Sequence, residues 1–168
     1  SLGGSILCNY LSEEGAAGRT NGTSHVTAAF AVCAPWDMHD SVTALRSIAA
    51  HFLYQGPLMI GLRKYFLKHR EILAQLPEFD GSMLLEQTYF RNTVRTTMDY
   101  DRLITAPHGG FSSQEEYYTA GSSILKLHHC QVPLLCIGAK DDPVCPPPAL
   151  RRWEHIAQVN PNIVFAMM

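Results

Sequence analysis

At 168 residues, 46% of them hydrophobic and 17% charged, the chain is long enough for one domain with a real core and too apolar to be disordered. Its net charge of -2 offers no electrostatic footprint for a polyphosphate, and the one basic cluster, Arg63, Lys64, Lys68 and Arg70, is short, so nucleic acid is excluded as the expected partner. No apolar run reaches the roughly 18 residues that would read as a bilayer span, and five cysteines without CxxC spacing (Cys8, Cys33, Cys130, Cys136, Cys145) fit a reduced compartment better than a disulfide scaffold.

Residues 2–14 carry Leu2, Ile6, Leu7, Tyr10 and Leu11 at helical spacing and stop at Gly15, which predicts a helix closed by a glycine. It begins directly after Ser1. Beyond a polar loop, 26–34 is a continuous run of small apolar and β-branched residues, the pattern of a strand covered on both faces. Helical spacing over 41–76, broken at Gly56-Pro57, predicts two successive helices. A further helix fits 84–95; 96–113 is rich in Thr, Pro and Gly; and another helix fits 113–128. A second buried strand is expected at 133–139, a helix with prolines in its first turn at 147–159, and a third strand at 163–168.

Two strand–helix alternations around a helical insertion of roughly 95 residues point to the α/β class, parallel strands with flanking helices carrying a helical cap. The expected division is core over 1–36, cap over 37–110 and core again over 111–168. The chain opens inside a motif and closes in the apolar run Ile163 to Met168, so it reads as a fragment.

Ser1-Leu2-Gly3-Gly4 before a helix matches the second half of the G-x-S-x-G elbow, which lifts a serine hydroxyl clear of the backbone. The small residues let the helix approach the sheet, and the Leu2 N–H faces an oxyanion; the alternative is a plain serine N-cap with a glycine-rich first turn. Asp142 follows the second strand within a few residues, where the acid of a serine triad belongs; Asp141-Asp142-Pro143 reads equally as an ordinary turn, and Asp142 is preferred to Asp141. In this chain order the base comes last, and only His155 follows the acid. It falls within the helix before the third strand, so the base is expected beyond Met168. No metal or other cofactor is implied. Basic residues share the 57–75 helix with Leu58, Leu62, Tyr65, Phe66 and Leu73, an amphipathic stripe that suits either a lipid surface or a solvated face over a core.

Together with Cys33-Ala34-Pro35-Trp36-Asp37, Asp99-Tyr100-Asp101, Thr105-Ala106-Pro107 and Glu116-Tyr117-Tyr118, these motifs run in order through nearly the whole chain. They resemble the YheT-like branch of the α/β-hydrolase-domain lipases and esterases, relatives of monoacylglycerol lipase and medium-chain phospholipase. The resemblance implies hydrolysis of acyl esters such as monoacylglycerols, medium-chain phospholipids or short acyl esters, with a lipid or acyl-ester partner and, in some relatives, transfer of the acyl group to an alcohol. It also implies an N-terminal membrane anchor in many animal relatives, and hence a membrane-associated (endoplasmic reticulum) or cytoplasmic location. The chain departs from that pattern in the glycine before the serine, the upstream strands, the second oxyanion donor and the final histidine. The piece alone is therefore expected to be inactive, at most a binding module, and to fold poorly because the sheet exposes an apolar edge.

Overall fold

The computed structural model describes residues 2–20, 22–47, 51–145 and 154–168. The chain is α/β: strands β1 (Ala29–Val32), β2 (Leu134–Gly138) and β3 (Ile163–Met167) form a parallel sheet in that order, flanked by helices. The register sets Ala31 beside Cys136 and Phe165, and Phe30 beside Leu135 and Val164. Successive side chains point to opposite faces, so these are two rows on the two sides of the sheet.

One row is core. Ala31, Leu134, Cys136 and Ile163 are buried with Cys8 and Leu11 of helix α1 (Leu2–Ala16) and with Ile124, Leu127 and Cys130. On α1 the stripe Gly4, Cys8, Leu11, Gly15 repeats at helical spacing, glycine at each end and bulk in the middle. The glycine that closes α1 is Gly18, with φ +77°, and the Arg19 N–H reaches back to the Glu14 carbonyl at 2.9 Å; the closure expected at Gly15 thus comes later.

The other row is bare: Phe30 is 69% exposed, Leu135 39% and Val164 56%. The continuous run of small apolar and β-branched residues over 26–34 predicts cover on both faces, but only Ala29–Val32 is strand and its described neighbours cover one face. Parallel sheets are otherwise buried on both sides.

Residues Ser1–Ala44 with Tyr118–Met168 form one compact unit and Leu45–Tyr117 a second. In the first, α2 (Met38–Leu45) starts where the Asp37 carboxylate accepts the N–H groups of His39 and Asp40. Helix α6 (Gln114–Gly121) stops well short of residue 128. Ser122 leaves the helix to bond the Met38 N–H at 2.9 Å, and the Ile124 N–H then donates to the Trp36 carbonyl, so 3₁₀ turns replace the expected helix. Of the helix expected at 147–159, residues 147–153 lie outside the described residues, and α7 covers Ile156–Val159.

In the second unit, α3 (Gly56–Leu73), α4 (Gln87–Thr93) and α5 (Thr97–Tyr100) enclose an aromatic core. Phe66 stacks on Phe90 with centroids 4.3 Å apart and meets Phe79 and Tyr100 edge-on. Gly56-Pro57 does not separate two helices. A π-helical turn, His51–Gln55, runs straight into α3, and a second, Asp101–Thr105, joins α5 to Ala106–His108. Each turn comes just before an X-Pro pair, Gly56-Pro57 and Ala106-Pro107. A proline has no N–H to give and its ring crowds the carbonyl four residues back, so the helix widens there instead of stopping.

The Thr- and Pro-rich stretch after residue 95 is helical because Thr96 and Asp99 form a capping box: the Thr96 hydroxyl accepts the Asp99 N–H at 3.1 Å and the Asp99 carboxylate accepts the Thr96 N–H at 2.9 Å. Partial burial pulls the Asp99 carboxyl up, but the Thr96 N–H and hydroxyl and the Arg95 N–H outweigh it and hold the group below its ordinary 3.8. A depressed folded-state value adds stability that is fully present above the unfolded value and is lost as pH falls through the folded one. Asp99→Asn should therefore cost about 1 kcal/mol at neutral pH, and the gap from the parent should close in urea titrations taken well below pH 3.8. A gap independent of pH would show that the carboxylate charge plays no part.

Candidate active site

Ala34, just past the end of β1, is where two segments of the site meet. On one side lies the first turn of α1: a Cβ built on Gly4 would stand 2.9 Å from the Ala34 Cβ and 3.4 Å from that of Ala31. On the other side the Cys145 thiol donates to the Ala34 carbonyl at 2.6 Å. The start of α1 and the turn after β2 thus converge on the carboxyl edge of the sheet. Leu2 is the first residue of α1 and exposed, and an N–H at that position has no carbonyl one turn back to take it. Ser1 lies outside the described residues.

Asp142 sits four residues beyond β2 in a tight turn. Its Oδ1 accepts the Val144 N–H at 2.8 Å and the Cys145 N–H at 2.9 Å, which fixes the direction of the carboxylate. Asp141 is exposed, whereas Asp142 is half-buried. Cys33, directly after β1, adopts φ +44°, a left-handed conformation unusual for a residue with a side chain, and its N–H is held by the Ile137 carbonyl at 2.8 Å. Burial pushes the Cys33 thiol up, and a hydrogen bond to the Asp142 carboxylate, with its charge, pushes it further; the thiol stays protonated and donates. Burial, followed by the Asp142 charge, raises Cys145 to about 12. The Cys33 thiol and two backbone N–H groups therefore hold this carboxylate, while the Cys145 thiol, on the Ala34 carbonyl, feels its charge. Sequence reasoning missed both thiols, because their partners are more than a hundred residues away and a cysteine at positive φ carries no local signature.

Strand β3 ends at the same edge. The Met168 N–H donates to the Gly138 carbonyl at 3.0 Å and the Lys140 N–H to the Met168 carbonyl at 2.9 Å, so Met168 runs alongside the residues leading into Asp142. His155 is exposed and precedes α7, on the connection that delivers the chain to the start of β3. No disulfide joins the five cysteines, and among the described residues no group of three His, Cys, Asp or Glu side chains is arranged to hold a metal ion.

No family model matches the chain, and no solved structure matches it. Among curated proteins it is 31% identical over 171 residues to the Embryogenesis-associated protein EMB8 of Picea glauca, covering 99% of this chain and 34% of that protein. It is 30% identical over 145 residues to the monoacylglycerol lipase of Saccharomyces cerevisiae, covering 86% of this chain and 30% of the relative. The medium-chain fatty acid ethyl ester synthase/esterase 2 of the same yeast is 30% identical over 179 residues, 98% of this chain and 38% of the relative. The chain spans about a third of the length of these relatives, two of which carry lipase or esterase names.

Proposed function

We propose that this chain is part of a serine hydrolase of the α/β-hydrolase lipases and esterases, one that cleaves acyl esters of lipids through an acyl-enzyme on Ser1. The observation that carries the reading is the convergence of the α1 start and the Asp142 turn on Ala34, at the edge where open α/β sheets bind their ligands. The names of two relatives support the substrate class. Within the family, the motifs Asp99-Tyr100-Asp101 and Glu116-Tyr117-Tyr118 favour the YheT-like branch, with 37–110 as its helical cap.

In this reading the Ser1 hydroxyl gives its proton to a histidine as its Oγ bonds to the ester carbonyl carbon, and the Leu2 N–H helps hold the oxyanion. Collapse breaks the ester C–O bond, and the leaving alcohol takes the proton from the histidine. Water then attacks the acyl-enzyme by the same route and releases the acid. Asp142, its direction already set by Val144 and Cys145, accepts the other ring N–H of the base and steadies the imidazolium. The base is assigned to a residue following β3, because Met168 lies beside Lys140. Acyl transfer to an alcohol is a second reading, favoured by the relative named for ester synthesis as well as hydrolysis; it differs only in which hydroxyl attacks the acyl-enzyme.

A fluorophosphonate probe tests the core claim. The full-length protein should be labelled on Ser1, and Ser1→Ala should remove the label. Labelling that survives the substitution, or no labelling of a protein that folds, overturns the reading.

A further inference from the structure

The outward face of α3 is unlike the rest of this mildly acidic chain. Met59 and Phe66 are buried in the aromatic core, with Leu62 and Leu73 packed against it, which turns the opposite side of the helix to solvent. Ile60, Lys64 and Lys68 on that side, with half-buried Arg63 and with Leu67 at the border where it still packs on the core, line a groove of about 560 Å³ with Arg91 of α4. Among the described residues no carboxylate lines it. The Arg63 guanidinium donates to the Val94 carbonyl at 2.8 Å, and among the described residues Arg63, Lys64, Lys68 and Arg91 form no ion pair. The helix carries Arg63, Lys64, Lys68 and Arg70 against the single acid Glu71, in a chain whose net charge is -2. Flanking the lysines, Ile60, Tyr65 and Ile72 are each more than 60% exposed.

Four cations that have no counter-ion among the described residues fit an anionic partner, and the apolar flank selects which kind. A hydrophilic polyanion would leave Ile60, Tyr65 and Ile72 wet. A bilayer surface buries such side chains by about 5–10 Å while lysine stems run along the apolar boundary and their ammonium groups stay among the headgroups. We propose that the outer face of α3, with Arg91, docks this unit on the surface of a membrane containing anionic phospholipid, with the headgroup phosphate in the Ile60–Arg91 groove. This surface is independent of the esterase reading, since docking needs neither Ser1 nor Asp142.

The test is co-flotation of the full chain with phosphatidylcholine vesicles, with and without about 30% phosphatidylserine, at about 0.1 M salt. The chain should float with the anionic vesicles and much less with the neutral ones, and higher salt should weaken the association. Each basic side chain near such a surface is worth about fivefold in affinity, so Lys64→Glu with Lys68→Glu should weaken binding by about 30-fold or more. Both lysines are exposed, and an unchanged far-UV spectrum separates lost docking from lost fold. Ile60→Ser with Tyr65→Ser should weaken binding and leave its salt dependence in place. Equal binding to neutral vesicles, no binding to either, or wild-type flotation of the charge-reversed variant overturns the proposal. Loss of Ser1 labelling with vesicle binding intact would sink the esterase reading alone.

Discussion

Asp142→Asn in the full-length protein is expected to lower kcat on a short acyl ester by about 10⁴-fold without loss of fold. The size follows from what the turn does. Oδ1 is held by the Val144 and Cys145 N–H groups at 2.8 and 2.9 Å, which sets the direction of the carboxylate, and the ring N–H of the proposed base joins the Cys33 thiol as a further donor to it. An asparagine can keep Oδ1 on those two donors, and the turn with it. Its amide nitrogen then faces the imidazole, where it offers a donor to a donor; the base adopts the other tautomer or turns away, and the imidazolium loses its counter-charge. The exposed neighbour provides the control, because Asp141→Asn changes the same net charge and should leave kcat unaltered. Steady-state rates of the two variants, with far-UV spectra, decide the matter: near-parental activity in Asp142→Asn would remove this residue from the mechanism and return its motif to a plain turn.

What the sequence could disclose followed from how far each determinant reaches. Strands β2 and β3 were legible because their apolar runs are bounded by prolines and by turn residues, and each came within a residue of its expected ends. The start of α1 was legible from its spacing, but its end was not. Gly15 and Gly18 are both reasonable stops, and only the positive φ of Gly18 distinguishes them. The capping signal Thr96-x-x-Asp99 is local and was present to be read, yet Pro107 and the surrounding threonines drew the stretch toward turn. The π turns ahead of Pro57 and Pro107 depend on a helix surviving past a proline, which packing decides and propensity does not. The bare face of the sheet was beyond sequence reasoning for a different reason: an apolar strand records that both faces are meant to be covered, not which segment covers them. In the candidate site, the place of Asp142 in a turn after β2 could be read from its motif, whereas Cys33 and Cys145 depend on pairings between distant strands.

The largest stability effect is expected at Gly15, and with the sign opposite to the ordinary one. An alanine in place of an exposed mid-helix glycine usually stabilises by about 0.5–1 kcal/mol, because the chain has less freedom to lose on folding. On α1 that gain is overridden. A Cβ at Gly15 would overlap the carbonyl oxygen of His129 and stand 3.1 Å from the Gln131 side chain. The main obstacle is backbone, so no rotamer change can relieve it. Either α1 moves away, opening the contacts of Cys8 and Leu11 with the sheet, or the 3₁₀ turn Leu127–His129 shifts and disturbs the buried Leu127 and Cys130. Both routes damage one core, and Gly15→Ala should cost about 3 kcal/mol or more. Gly61 in α3 is the matched control: a Cβ there meets nothing within 4 Å, so Gly61→Ala should give the usual small gain. Urea midpoints followed by far-UV circular dichroism compare the two directly. If both substitutions raised the midpoint, α1 would not be held against the 127–129 turn, and the close approach that aligns its first turn with Ala34 would lose its anchor at the far end.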